Sequence, residues 1–130
     1  MGTRSLTFVY DNESPVVCMY RQYDGYMSGH GHELAMFLES FGAITNGIAM
    51  GETRKTANGM GCLAAQMIAN FKTEAGGFYL YPTNTKDAGQ DYTYHVYEDM
   101  VEVRGYSDEL VFRGSWEEFF DETVEASLEG

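Results

Sequence analysis

The sequence predicts an α+β fold: an antiparallel sheet of about five or six strands, with two central helices and one C-terminal helix packed on one face. The sheet is read as an N-terminal hairpin plus a C-terminal meander. Three observations predict this. Apolar residues alternate with period two at both ends of the chain, recur with helical period in the middle, and a capping-box pattern opens the last segment. With 130 residues, 44% of them hydrophobic, the chain fills one core, so 1–130 is read as a single domain.

Residues 5–10 alternate and are β-rich, and Asp11-Asn12-Glu13-Ser14-Pro15 supplies the turn into a second strand from Val16 to about Gln22. Residues 23–31 form a glycine-punctuated loop. A helix over about 32–41 follows, its Leu34, Phe37, Leu38 and Phe41 in one stripe, with Gly42 as a natural stop. Residues 42–57 read as irregular. Asn58 stands where a cap belongs for the clearest helix, about 59–72, in which Met60, Leu63, Ala64, Met67, Ile68 and Phe71 share a face.

Period two then returns. Strands are expected over 78–81 (ended by Pro82), 92–97, 100–104 and 109–113, with turns at 98–99 and 105–108. Ser115 with Glu118 is a capping box. The final helix it opens sets Trp116, Phe119, Phe120 and Val124 against an acidic outer side.

Charge is unevenly placed. Residues 1–86 hold seven acids and six bases, whereas 87–130 hold thirteen acids and two bases, out of a net charge of −12. Such a field repels DNA and RNA and favours a basic partner or plain solubility. No run approaches the ~18 apolar residues of a membrane span, and Met1 to Ser5 lacks the apolar run of a signal peptide. A cytoplasmic location is therefore expected, with Cys18 and Cys62 as reduced, buried thiols.

Two candidate sites emerge. The first is a partner-binding surface of Asp91, Tyr94, Tyr97, Glu98, Asp99, Glu102, Asp108, Glu109, Glu117, Glu118, Asp121, Glu122 and Glu125. Tyrosine combines contact area with a hydrogen bond, and spaced carboxylates imitate a phosphate backbone before an arginine-rich surface. The alternative is a small-anion site, such as one for a nucleotide, at the glycine-opened helix starts. It would comprise Arg4, Arg21, Asp24, Gly29, His30, Gly31, Arg54, Lys55, Gly59 and Gly61.

The sequence assigns no metal, cofactor or catalytic residue. His30 and His32 lack companions at ligand spacing, and neither Asp24 with His30 nor Ser28 or Cys18 sits in a nucleophile context.

Met1 to Thr7, Met19-Tyr20-Arg21-Gln22-Tyr23-Asp24-Gly25-Tyr26 and Gly29-His30-Gly31 together resemble a family of small uncharacterised proteins of bacteriophage and bacterial genomes. Weaker similarity continues in 58–72 and 77–82. The resemblance implies a phage or mobile-element setting, in which small acidic proteins bind host machinery. The leading expectation is thus a non-enzymatic counter-defence protein in the host cytoplasm, covering the nucleic-acid-binding surface of a host effector. A third reading is an accessory protein that only self-associates.

Overall fold

In the structure, a computed structural model, residues 2–41, 43–45 and 56–129 are described. Strands β1 (Ser5–Asp11), β2 (Ser14–Arg21), β5 (Phe78–Tyr81), β6 (Tyr92–Val96), β7 (Val101–Arg104) and β8 (Leu110–Gly114) form a six-stranded sheet ordered β5-β2-β1-β6-β7-β8. Helices α1 (His32–Glu39), α2 (Gly59–Phe71) and α3 (Trp116–Glu129) complete the α+β architecture. Two short strands, β3 (Ala43–Thr45) and β4 (Thr56–Asn58), pair in parallel within the stretch expected to be irregular.

Two parts of the topology depart from expectation. The sheet is antiparallel except at its centre, where β1 and β6 run in parallel with Phe8 opposite His95. The chain enters β6 beside the start of β1, where the Asp91 and Tyr92 N–H groups donate to Arg4 O at 2.8 and 3.2 Å. Asp91 Oδ2 accepts the Arg4 N–H in return, at 2.9 Å. Strand β5 also lies outside the meander, which comprises β6, β7 and β8 alone. It instead pairs with β2 at the far edge, and Pro82 then frees the chain to return across the helix-free face.

Strand alternation divides the core in two. Val9, Met19, Tyr94, Val96, Val101 and Val103 face the helices and meet Leu34 and Leu38 of α1, Leu63 and Met67 of α2, and Phe119 of α3. Leu6, Phe8, Cys18 and Tyr20 form a smaller cluster on the other face, against which Tyr10 and Ala88 pack. Each fully buried side chain of this kind stabilises the fold by roughly 1.5–3 kcal/mol.

The last helix opens as its capping box predicts. The Glu118 N–H donates to Ser115 Oγ at 3.1 Å, and the Ser115 N–H donates to Glu118 Oε1 at 2.8 Å. Asn58 does precede α2, but its side chain makes no capping hydrogen bond. The loop expected before α1 ends in a π-helical turn, Met27–Gly31.

The glycines of the two helix starts differ in kind. A Cβ at Gly29 would lie 2.5 Å from Asp24 O, whereas one at Gly61 meets nothing within 4 Å. Gly29 is therefore required by close backbone approach, and Gly61 is not. Gly29→Ala should destabilise the fold by at least ~2 kcal/mol, because the clash is with backbone. Gly61→Ala should raise stability by ~0.5–1 kcal/mol, the helix-propensity difference. Urea unfolding of the two variants checks both signs.

Candidate functional sites: an acidic helix face and a buried arginine

Arg21 ends β2 opposite Ser5 and turns towards the helices, with only 4% of the residue exposed. Its guanidinium carbon lies 4.9 Å from the ring centres of both Tyr23 and Phe78. A buried charge needs a partner, and Glu33 supplies it, Oε1 accepting from Nη1 at 3.0 Å and Oε2 from Nη2 at 3.4 Å.

The π-helical turn brings in His30, which is fully buried. Arg21 Nη1 lies 3.2 Å from His30 Nδ1. Arginine only donates, so Nδ1 is the bare acceptor nitrogen and the ring proton sits on Nε2. That proton donates to Thr7 Oγ1 at 2.7 Å. Burial, reinforced by the adjacent Arg21 charge, pushes the His30 pKa down to about 3. The imidazole is therefore neutral, with both nitrogens engaged, and cannot serve Asp24 or Ser28 as a base. Tyr94 closes the same loop by donating to Gly25 O at 2.7 Å, and burial drives its pKa upward.

These contacts correct the anion-site expectation. The N–H groups of Gly29 and Gly31 donate to Tyr26 O at 3.0 and 3.2 Å, and that of His30 to Asp24 O at 2.6 Å, so the start of α1 is satisfied within the chain. Asp24 turns its carboxylate to the Tyr26 hydroxyl at 3.1 Å. Arg4 and Arg21 do not converge: Arg21 is under the helices, while Arg4 is exposed and its Nη1 approaches Gly89 in the loop on the opposite face. Gly59 and Gly61 face open space, and Arg54 and Lys55 lie outside the described residues. Among the described residues, no group of three or more His, Cys, Asp and Glu could hold a metal ion.

The acidic candidates separate into three groups. Glu117, Glu118, Asp121, Glu122 and Glu125 are all exposed on α3 and span about 140° of the helix at 100° per residue. No basic residue occurs in that helix. Trp116 Nε1 donates to Tyr97 O at 2.8 Å, which seats the start of α3 beside the exposed Glu98 and Asp99 of the β6–β7 turn. Asp108 and Glu109 are exposed in the β7–β8 turn instead, and Asp91 is half-buried against Arg4.

Two residues must be withdrawn from a contact surface and a third is reduced. Tyr94 is fully buried, because its place in β6 faces the helices. Glu102 is held by Arg104 at 2.9 Å and Arg113 at 3.9 Å, which compensate its charge. Tyr97 is half-buried and stacked on Tyr10 at 4.4 Å.

Sequence reading missed the helix-free face. Phe8, Tyr10 and His95 contribute to a cleft of about 690 Å3, together with Lys86, Asp87 and Asp108. Tyr10 Oη and His95 Nδ1 are 2.7 Å apart, and burial lowers the His95 pKa. The signal was present in Leu6-Phe8-Tyr10 alternating beside Thr93-His95-Tyr97, but it requires the parallel register to be seen. Cys18, beneath this face, has its thiol pushed up to about 11 by burial, whereas Cys62 is only half-buried. Among the described residues no helix is long and apolar enough to cross a membrane.

No protein-family model, curated protein or solved structure matches the chain.

Two predictions arise from this geometry. The His30 pKa lies below the ~6.5 of an unfolded chain, so between about 3 and 6.5 only the unfolded state takes up the proton. Stability should therefore fall as pH drops through that window, by ~2 kcal/mol between pH 7 and 5 from this residue. Urea titrations at both pH values should show a smaller loss in His30→Gln. In the native protein a thiol reagent should also label Cys62 well ahead of Cys18, as mass spectrometry of the labelled chain would reveal.

Proposed function

We propose that this chain is a non-enzymatic binding protein whose α3 face covers a basic, nucleic-acid-binding surface of a partner protein. One observation carries the reading: five exposed carboxylates occupy one face of a helix that holds no basic residue. Glu117–Asp121, Glu118–Glu122 and Asp121–Glu125 are like-charge pairs at i,i+4, each destabilising by ~0.2–0.5 kcal/mol. Glu125 also lies towards the negative end of the helix dipole. Local stability alone favours lysine at several of these positions.

Glu98 and Asp99 add exposed negative charge near the helix start, and thirteen of the chain's twenty acids fall in residues 87–130. Arginines that grip phosphates bind carboxylates through the same paired hydrogen bonds. Resemblance to small phage and bacterial proteins makes the favoured partner a host defence effector, met in the host cytoplasm.

The test separates binding from folding. In the double variant Asp121→Lys with Glu122→Lys, the introduced ammonium groups stand four residues beyond Glu117 and Glu118, and the first also four before Glu125, so all three like-charge pairs become attractive ones. This should raise stability by at least ~1 kcal/mol. The same variant should lose binding to nucleic-acid-binding host effectors and no longer displace their nucleic acid. A folded double variant that still competes with nucleic acid would sink the proposal.

A further inference from the structure

A cleft of about 510 Å3 opens beside α1, the end of α2 and the start of β5, and it shares no residue with the acidic face of α3. Arg21 and Glu33 line it, with Tyr23, Phe37, Phe71 and Phe78 as aromatic walls. The Arg21 side chain is only 5% exposed, and its Nε is a buried donor without a hydrogen-bond partner.

The geometry of the guanidinium identifies which edge is spare. Glu33 meets it end-on through Nη1 and Nη2, and His30 takes the other hydrogen of Nη1. Of the five N–H donors, the Nε–H and the outer Nη2–H remain. These two lie side by side and point the same way, matching the two oxygens of one carboxylate.

We propose that this cleft binds a small monocarboxylate with an apolar or aromatic body, its oxygens on the Nε/Nη2 edge of Arg21. The charge fits a monoanion: one guanidinium already partly compensated by Glu33, in a chain of net charge −12, disfavours a phosphate dianion. The walls fit an apolar body, and the volume suits a small organic molecule. Nε is covered, so entry requires a side chain to move. Tyr23, which lines the cleft with its ring centre 4.9 Å from the guanidinium carbon, is 43% exposed and has room to move. Glu33 is half-exposed and free to exchange its pairing for solvent. This site is independent of the proposed α3 interface.

The experiment is a titration of the 15N-labelled full chain at constant ionic strength, following the Arg21 Nε–H signal. Benzoate is the probe, with its neutral isostere benzamide and inorganic phosphate as comparators. Benzoate should shift the signal saturably, and benzamide and phosphate should not. In Glu33→Gln the neighbouring carboxylate no longer offsets the guanidinium charge, so benzoate on the unchanged Nε/Nη2 edge should bind roughly tenfold more tightly. No saturable shift by benzoate up to about 10 mM, in either wild type or Glu33→Gln, overturns the proposal. So does phosphate binding at this edge, or benzamide matching benzoate, which would reveal a merely apolar cleft. The wild-type titration decides the matter even where a variant misfolds.

Discussion

A single positive charge buried beneath the helices constrains much of this molecule. Arg21 stands in β2, yet its contacts reach Glu33 in α1, His30 in the π-helical turn and Phe78 in β5. Removing a guanidinium from water costs several kcal/mol unless its surroundings answer it. Here the answer comes from three separate elements, two of them within a dozen residues of Arg21 and the third, β5, far along the chain, so satisfying Arg21 fixes where each must lie. His30 is the least expected member. An imidazole packed at 5.2 Å from Phe71 and 5.1 Å from Tyr94 beside a cation has to stay neutral, and its hydrogen bonds select one tautomer.

The acidic helix depends on this frame in a different way. A segment with repeated like-charge pairs is a poor helix in isolation. α3 is held by its buried side: Phe119 is fully buried against Phe112 and Tyr94, Thr123 is buried, and the Trp116 indole is bonded to Tyr97 O. Tertiary contacts thus carry a surface that local propensity disfavours. The exposed carboxylates of α3 and the cleft around the buried arginine share no residue, although α3 packs against α1 and the π-helical turn.

Much of the fold was legible in the sequence because its elements announce themselves locally. The stripe from Met60 to Phe71, the Ser115–Glu118 box and Pro82 after 78–81 each mark an element or its end within a few residues. What could not be read depends on long-range pairing. Nothing local says that β5 joins β2 or that β6 runs parallel to β1. Without that register, Tyr94 reads as a surface tyrosine beside acidic neighbours, whereas its strand position buries it. The helix-start site failed for a related reason. Glycines that free a backbone for a ligand and glycines that admit another piece of the chain look alike in sequence, and Gly29 is of the second kind. The α3 carboxylates were legible because helical spacing alone places them on one face.

The most direct test of this account is the 15N spectrum of the His30 imidazole in the folded protein. Between pH 7 and 4 it should show a neutral ring, protonated on Nε2 and bare on Nδ1, with no titration step. A ring that titrates in the ordinary histidine range, or one protonated on Nδ1, would contradict the buried Arg21–His30–Thr7 network on which the arrangement rests.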